Sequence, residues 1–350
     1  MSGNSASSLI QFWTIAPQEV NMTLPKVFVT RRILEPALNT LAEHADIDLW
    51  PDDKPPTPAQ LREKSSGVDG LLTNIMDRID SDLLDAAPKL KVISQLSVGL
   101  DNIDLTEVTR RLIPVGYTPG ILAKSTADLT FALMMATARR IGESERWVRQ
   151  GQWQLAHHPM HWLGIDIHEA TLGIIGMGQI GQEVAKRARG FDMDLLYYSK
   201  TRKPELESLH SMQYRSLPDL MKECDFVSLH IPLNEETRHI ISEPQLKMMK
   251  PTSILINASR GPVVDPEALY NALNEKWIYG AALDVTEPEP IAPDSPLLSL
   301  DNIIITPHIG SAALPTRLNT MMLAIRNLIN GLNGDMLESC ANREVYQRGA

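Results

Sequence analysis

The chain has 350 residues, of which 43% are apolar, and this is enough for two domains with ordinary buried cores. The net charge of −10 argues against general binding to nucleic acids or anionic membranes, and no apolar run approaches the roughly 20 residues that span a bilayer. Cys224 and Cys340 form no CxxC pair, so we expect reduced thiols and a cytoplasmic protein. Residues 1–23 lack the pattern of a secretion signal, and we interpret them as a flexible N-terminal extension.

Strand and helix patterns alternate in the first third of the chain. Strand patterns occur at Lys26–Thr30, Asp46–Trp50, Gly70–Asn74, Lys91–Leu96 and residues 113–118. Helical patterns occur at Pro36–His44, in the stretch ending at Ser65, near Ser81–Ala87 and near Asp104–Arg111. This alternation predicts βαβ units and a parallel sheet.

Ser125–Gln150 is the longest stretch with a helical pattern. Ser125 is a candidate N-cap, and Asp128 follows three residues later, as in a variant of the capping box. We interpret this stretch as a single arm that joins the two halves of the chain.

The second half is organised around Thr171–Gly181, TLGIIGMGQIG. The apolar run predicts a buried strand, Gly176 permits a tight turn, Gly178 lets the backbone approach a pyrophosphate, and Gly181 lets the following helix pack on the strand. The unpaired N–H groups and the dipole at such a helix start attract an anion. The motif therefore predicts dinucleotide binding.

More strand patterns follow, and several end in polar residues. They occur at Leu195–Tyr198 and at residues 225–232, 253–259, 279–285 and 302–308, with a helix at Asp265–Glu275. A final amphipathic helix, Pro315–Gly331, is expected to cross back to the first half. We therefore predict an α/β fold of two doubly wound parallel-sheet domains. We expect a dinucleotide-binding domain (125–311) to be inserted into a discontinuous substrate domain (24–124 and 312–345).

Three polar strand ends contain the residues that a hydride-transfer enzyme needs. Arg260 can bind a carboxylate with two hydrogen bonds, and His308 can exchange a proton near neutral pH. A carboxylate such as Asp284 or Glu289 would fix the tautomer of that histidine. Open α/β sheets place ligands at these strand ends, which makes convergence of the three segments plausible.

The histidines at 157, 158 and 161 do not predict a metal site. Pro159 breaks a helical pairing of His157 with His161, and no acidic ligand lies near them in the sequence. We interpret this segment as an exposed loop, with Trp153 and Trp162 in ordinary packing, and predict no metal.

The order GMGQIG, NASRG, ALDVTEPEP and PHIG resembles the D-isomer-specific 2-hydroxyacid dehydrogenase family, from about Lys26 to about Glu338. KVFVTRRI, SVGLDNID and VGYTPGIL are similar to its glyoxylate/hydroxypyruvate reductase branch. The resemblance implies a Rossmann-like cofactor domain inserted in a flavodoxin-like substrate domain. It also implies that the enzyme reduces small 2-ketoacids to 2-hydroxy acids.

The resemblance implies a role for individual residues. Arg260 would hold the substrate carboxylate and carbonyl, His308 would donate the proton, and Glu289 would pair with His308. Glu287 would be the solvated neighbour of Glu289. The backbone amides of Val98 and Gly99 would also hold the carboxylate. Leu71 would lie in the segment that forms the far pocket wall and would be a substrate-binding residue.

The resemblance also implies a nicotinamide cofactor site. Its expected residues are Thr126, Gly176, Gly178, Gln179, Ile180, Gly181, Ser199, Lys200, Thr201, Arg202, Ile231, Pro232, Ala258, Ser259, Asp284, His308 and Gly310. NAD enzymes usually have an acidic residue after the second strand, on the ribose 2′-hydroxyl. Here the run from Ser199 to Lys203 has hydroxyls and cations and no acid before Glu205, which favours NADP(H) over NAD(H).

Two alternatives stay open. One is another substrate for the same fold, of the phosphoglycerate or formate type, although the segment from Gly70 offers little basic character besides Arg78. The other is a dinucleotide-sensing binding protein, since the family includes transcriptional corepressors. The family also implies a homodimer, with 125–150 as the expected contact.

Overall fold

Two parallel β-sheets organise the chain in the computed structural model, which describes residues 23–347. Nearly all of the predicted N-terminal extension, residues 1–22, lies outside the described residues. The first sheet comprises β1 (Lys26–Val29), β2 (Asp46–Leu49), β3 (Gly70–Thr73), β4 (Val92–Gln95) and β5 (Val115–Gly116). Its strand order is β2-β1-β3-β4-β5, with every neighbouring pair parallel. The intervening helices are α1 (Glu35–Ala42), α2 (Pro58–Ser65), α3 (Ser81–Ala86) and α4 (Leu105–Arg110).

The second sheet has seven parallel strands in the order β12-β11-β10-β9-β6-β7-β8. The strands are β6 (Thr171–Ile175), β7 (Asp194–Tyr198), β8 (Met212–Tyr214), β9 (Phe226–Leu229), β10 (Ile254–Asn257), β11 (Gly280–Leu283) and β12 (Ile303–Ile305). The helices of this part are α5 (Ala123–Ala138), α6 (Ile141–Arg149), α7 (Gln179–Ala188), α8 (Pro204–His210), α9 (Leu217–Glu223), α10 (Glu243–Met248) and α11 (Pro266–Asn274). The predicted fold class, two doubly wound parallel α/β sheets, is confirmed.

The strand order of the second sheet reverses between β6 and β9. Ile175, at the end of β6, is in register with Tyr198 of β7 on one side and Leu229 of β9 on the other. Because successive strands run outward in both directions from this point, their connections leave a crevice at the carboxyl ends. Gly176 and His230, which follow β6 and β9, therefore lie at the start of that crevice.

Both sheets are covered on both faces, which explains why their strands are nearly continuous apolar runs. Strands β3, β4, β9, β10 and β11 are buried along their whole length. Separate apolar clusters lie on the two sides of each sheet, and side chains within one strand alternate between them. Leu71 of β3, for example, belongs to one cluster and its neighbour Leu72 to the other.

The predicted arm Ser125–Gln150 consists of two helices, so the expectation of one continuous helix was wrong. α5 ends at Ala138 and α6 begins at Ile141, with Arg140 between them in the left-handed region (φ 51°). The carbonyl oxygen of Ala138 accepts a hydrogen bond from the N–H of Ile165 (2.9 Å), and a returning chain segment thus takes the place of the next helical turn.

The start of this arm also differs from the prediction. α5 begins at Ala123, so Ser125 lies inside its first turn and does not cap it. Asp128 forms an ion pair with Arg187 of α7 (2.7 Å). α5 packs against α7, β10 and β11 and so belongs to the second sheet.

The final helix, α12 (Leu314–Asn333), has 20 residues and is longer than either helix of the arm. As predicted, it returns to the first sheet. The Ser94 hydroxyl in β4 donates to the carbonyl of Ala324 (2.7 Å), and Gly331 packs directly on Val92. The segment after α12 extends this contact, because the Tyr117 N–H donates to the Ser339 carbonyl (3.2 Å).

Candidate active site

The glycine turn between β6 and α7 has the geometry that its sequence predicts. Gly176 has φ +102°, and a Cβ there would lie 2.4 Å from the carbonyl oxygen of His230. A Cβ at Gly181 would lie 2.1 Å from the carbonyl oxygen of Gly176, so only glycine lets α7 pack this closely. A Cβ at Gly178 would meet no described atom within 4 Å, which leaves its backbone open to a ligand.

Gly178 is the N-cap of α7, and no side chain in residues 23–347 caps it. The first N–H groups of the helix and the positive end of its dipole are therefore available to an anion. Open backbone at Gly178 and an uncapped helix start fit the pyrophosphate of a dinucleotide.

The predicted ribose segment, Ser199 to Arg202, follows β7 and holds two ion pairs. Lys200 Nζ lies 2.7 Å from Glu236 Oε2, and Arg202 Nε lies 2.7 Å from Glu207 Oε1. The Arg202 guanidinium lowers the pKa of Glu207 to about 2. The Ser199 hydroxyl donates to the carbonyl of Thr201 (2.6 Å). Both predicted cations thus already have acidic partners.

Lys203, one residue beyond that segment, reaches the glycine turn itself. Its Nζ donates to the carbonyl oxygen of Met177 (3.1 Å), between Gly176 and Gly178. From the sequence, Lys203 is one of the basic residues of the loop, with no predicted place in the site. Its position depends on the packing of the loop on the turn, which spacing alone does not reveal.

A cleft of about 680 Å³ lies between the two sheets at the switch point. Most predicted substrate and nicotinamide-side residues line it. They are Val98, Gly99, Thr126, Ile180, Ile231, Pro232, Ala258, Ser259, Arg260, Asp284, Glu289, His308 and Gly310. Gly176, Gly178, Gln179 and Gly181 form the adjoining turn.

Arg260 follows β10 and extends toward the first sheet. Its Nε donates to Asp101 Oδ1 (3.0 Å), and its Nη1 donates to the Ser259 carbonyl (2.9 Å). The buried Asn257 side chain shapes this turn, donating to the Arg260 carbonyl (2.9 Å) and accepting from Ser259. A guanidinium is thereby fixed in the cleft.

The loop that carries Val98 and Gly99 packs against this guanidinium. A Cβ at Gly99 would lie 1.5 Å from Arg260 Nη2, so glycine is required there by the close approach of the arginine. Gln95 Nε2 donates to the Gly99 carbonyl (2.6 Å) and fixes the loop. Within the described residues, the N–H groups of Val98 and Gly99 have no protein acceptor, so both can donate to a bound anion.

His308 follows β12 and is paired with Glu289. Its Nδ1 lies 2.6 Å from Glu289 Oε1, which leaves Nε2 for a ligand. Asp284 builds the turn around His308, because its carboxylate accepts from the Thr306 hydroxyl (2.6 Å) and from the Gly310 N–H (2.8 Å). The structure therefore brings Arg260, Glu289 and His308 to one cleft, beside the glycine turn.

Two expectations about individual residues were wrong. Leu71 does not line the cleft: it lies in the middle of β3, fully buried against Phe28, and the cleft wall on that side is formed by residues 74–76. Glu287 is not a solvated residue. It is paired with Arg238 and with His239 Nε2 (2.7 Å), which come from the loop after β9.

Three other polar residues line the cleft that were not predicted from the sequence. They are Asp101, His230 and Arg317. Asp101 lies in the SVGLDNID motif, two residues after Gly99, so its position in the sequence could have indicated that it lines the cleft. The His230 ring shares a hydrogen bond with Ser228 Oγ (2.8 Å) through Nε2, and its Nδ1 is buried without a partner in the described chain. Burial lowers the pKa of His230 to about 3.

The loop after α6 was predicted as an exposed loop without metal. His158 and His161 stack on each other with ring centroids 3.8 Å apart, and both are exposed. In the described part of the chain, no group of three or more His, Cys, Asp or Glu residues is placed to hold a metal ion. Trp162 packs against Trp147 and Arg140, whereas Trp153 is exposed.

None of the helices within residues 23–347 combines the length and apolar character needed to cross a membrane.

Residues 131–310 match the family model of the D-isomer specific 2-hydroxyacid dehydrogenase NAD binding domain. A Korarchaeum cryptofilum protein named glyoxylate reductase is 49% identical over 323 residues, which cover 92% of this chain and 97% of the relative. The structure of the TT0316 protein from Thermus thermophilus is 42% identical, with a TM-score of 0.84 over 90% of this chain and 99% of that one.

An NADPH-dependent glyoxylate/hydroxypyruvate reductase from Sinorhizobium meliloti, solved with NADP and malonate, is 28% identical, with a TM-score of 0.81. That alignment covers 91% of this chain and 97% of the other. The family model and the relatives agree on the family, and the solved structures share its fold. The chain belongs to the D-isomer specific 2-hydroxyacid dehydrogenase family of NAD(P)-dependent oxidoreductases.

Proposed function

We propose that this enzyme uses NADPH to reduce the small 2-ketoacids glyoxylate and hydroxypyruvate to their 2-hydroxy acids. The observation that carries the proposal is the Glu289–His308 pair (2.6 Å), which shares a cleft with Arg260 beside an open glycine turn. The relatives named glyoxylate reductase support the choice of substrate.

The residues of the cleft have separate tasks in this reaction. Arg260 and the free amides of Val98 and Gly99 hold the substrate carboxylate and orient the ketone. The cleft residues would hold a nicotinamide, which when bound would supply the hydride that the carbonyl carbon accepts. As the carbonyl oxygen gains the electron pair of its broken π bond, His308 Nε2 donates a proton to it and the hydroxy acid forms. Glu289 accepts the hydrogen bond of Nδ1–H and stabilises the charged imidazolium before the transfer. After the transfer the ring is neutral, and solvent reprotonates its Nε2.

The cofactor would lie across the glycine turn. Gly176, Gly178, Gln179, Ile180 and Gly181 would hold the pyrophosphate. The nicotinamide half would lie along the cleft residues Thr126, Ile231, Pro232, Ala258, Ser259, Asp284, His308 and Gly310. Ser199, Lys200, Thr201 and Arg202 would surround the adenosine ribose.

We propose two domains, 24–124 with 312–345 and 125–311, that close over the substrate. The Arg260–Asp101 pair crosses between their sheets and supports this division. Closure would exclude water from the hydride transfer.

The preference for NADP(H) rests on the chemistry of the segment after β7. No acid occupies Ser199 to Lys203, and Lys203 places an ammonium group on the glycine turn. Because Lys200 and Arg202 are paired with Glu236 and Glu207, their release by a 2′-phosphate would cost part of the binding energy. We expect kcat/KM to be about tenfold higher with NADPH than with NADH, and comparable values would contradict the preference.

The central test is substitution of His308. His308→Ala should lower kcat for glyoxylate by roughly 10²- to 10⁴-fold, because no other group in the proposed mechanism donates the proton. NADPH binding, followed by its fluorescence on titration, should persist. Turnover like that of the wild type would remove the proton-donor role, and loss of NADPH binding would show damage to the cofactor site instead.

We also propose a homodimer, joined through the 125–150 arm. Because α5 is covered by its own sheet, the contact would be made by α6 and the loop that follows it. Large apolar side chains are exposed along this segment, at Ile141, Val148, Trp153, Leu155, Met160 and Leu163. Val148→Glu should shift the molecular mass measured by light scattering from dimer to monomer, and a monomeric wild type would contradict the proposal.

The two buried, unbridged cysteines support a reducing, cytoplasmic setting.

A further inference from the structure

Arg317 is a second guanidinium in the cleft, and the proposed mechanism does not use it. It lies in the first turn of α12, where its N–H donates to the carbonyl of Ala313 (2.9 Å). Its side chain lines the same cleft as Arg260 and His308. Arg317 is presented from α12, which packs on the first sheet, whereas Arg260 follows strand β10 of the second sheet.

Within residues 23–347, the Arg317 guanidinium forms neither a hydrogen bond nor an ion pair. Burial lowers its pKa, and Asp284 offsets this only in part from a distance. Asp284 is already engaged by Thr306, Ile309 and Gly310. Withdrawing a cation from water without a partner is costly, and such cations in clefts commonly meet an acceptor brought by a ligand.

The two guanidinium groups of the cleft differ in this respect. Arg260 is held by Asp101 and lies against the loop with the free amides of Val98 and Gly99. These groups together provide enough donors to bind one carboxylate. Arg317 therefore remains for another part of the substrate. Glyoxylate has no such part, because it ends at the carbonyl carbon that accepts the hydride.

We propose that Arg317 forms a second subsite, which binds an oxygen-bearing substituent on the third carbon of a 2-ketoacid. The inference rests on the proposed function and narrows its substrate class. A planar guanidinium donates a hydrogen bond to a hydroxyl oxygen, or two parallel hydrogen bonds to a carboxylate or phosphate, and it gains nothing from a methyl group. Hydroxypyruvate, oxaloacetate and phosphohydroxypyruvate have such oxygens, and pyruvate and glyoxylate do not.

The first test compares kcat/KM for these five ketoacids in the wild type, Arg317→Gln and Arg317→Lys. Pyruvate is the matched reference, because it differs from hydroxypyruvate by one oxygen. We expect Arg317→Gln to lower the ratio of hydroxypyruvate to pyruvate by about 10- to 100-fold. Arg317→Lys should lower it less, because the charge is kept and only the planar fork is lost. Among the three ketoacids that have an oxygen-bearing substituent, the one whose kcat/KM falls most identifies the preferred substituent.

Arg326→Gln is the matched control. Arg326 lies on the same helix and pairs with Glu338 outside the cleft (2.7 Å), so the ratio should stay within about twofold of wild type. An unchanged ratio in Arg317→Gln, or an equal fall in Arg326→Gln, would overturn the subsite.

A binding measurement separates this inference from the proposed function. With NADPH present, calorimetry should show that D-glycerate binds the wild type more tightly than D-lactate, and that Arg317→Gln removes the difference. If the wild type reduces no ketoacid but keeps this preference, the proposed reaction fails and the subsite stands. Equal affinities in the wild type, or no binding of either acid, would overturn the subsite.

Discussion

Asp101 and Arg260 bring opposite charges from the two sheets together on the wall of the cleft. Arg260 Nε donates to Asp101 Oδ1 (3.0 Å), and Arg260 Nη1 donates to the Ser259 carbonyl. These two hydrogen bonds fix the orientation of the guanidinium. Asp101 has two opposing effects. It positions the arginine, and it adds a negative charge near the place where a substrate carboxylate would bind.

Two substitutions separate these effects. Asp101→Ala removes the acceptor and should raise KM for glyoxylate about tenfold, because Arg260 loses a charge-assisted hydrogen bond. Asp101→Asn keeps an acceptor oxygen and removes the charge, so KM should change less than about threefold. Steady-state kinetics check both values. A KM that falls in Asp101→Ala would mean that repulsion of the substrate outweighs positioning.

Local sequence rules predicted the positions of residues well where one strand end decides them, and poorly where distant segments meet. Arg260 and His308 each follow a buried strand at the carboxyl edge of a parallel sheet, and this was enough to bring them to one cleft. The environment of Glu287 could not be predicted in this way, because Arg238 and His239 lie 49 and 48 residues earlier. Arg317 reaches the cleft only because α12 crosses back to the first sheet.

At the scale of elements, the two glycines at the start of α7 have different functions: one permits the packing of the helix, and the other leaves space for a ligand. Gly181 lets α7 lie against the carbonyl of Gly176, whereas Gly178 faces open space and has an ordinary φ of −81°. A methyl group at these two positions should therefore have opposite consequences.

Gly181→Ala should destabilise the protein by about 2 kcal/mol, because its methyl group meets backbone that must shift. Gly178→Ala should leave stability within about 0.5 kcal/mol of wild type. It should nevertheless raise the Kd for NADPH at least about tenfold, since the methyl group would fill the space of the pyrophosphate. Chemical unfolding and NADPH titration measure the two effects. Equal NADPH affinity in Gly178→Ala and the wild type would place the cofactor elsewhere.

The break between α5 and α6 shows what the periodic pattern of a helix cannot reveal. The sequence around Arg140 continues the helical pattern, yet the carbonyl of Ala138 is taken by Ile165, 27 residues further on. Gly164 permits this approach, because a Cβ there would lie 2.3 Å from the same carbonyl oxygen. A long-range contact therefore decides where the helix ends.

At the scale of the whole molecule, acid stability depends on groups that folding keeps neutral. The His230 imidazole is one of these, since burial lowers its pKa to about 3, well below the value of about 6.5 for an unfolded chain. Burial also lowers the pKa of His210, whose Nε2 has no partner in the described chain. Unfolding releases both rings into water, where they take up protons below about pH 6.5.

The sign of the effect follows from proton uptake. Because the unfolded state binds more protons than the folded state between about pH 6.5 and about pH 3, stability falls as the pH falls through this window. His230 alone should contribute a slope of up to about 1.4 kcal/mol per pH unit. His230→Asn, which cannot take up a proton, should therefore show a shallower loss of stability between about pH 6 and about pH 4. Urea unfolding without cofactor, at half-unit pH steps, measures the two slopes. Identical slopes would mean that His230 is already protonated in the folded protein in this pH range, which would contradict a neutral, buried ring.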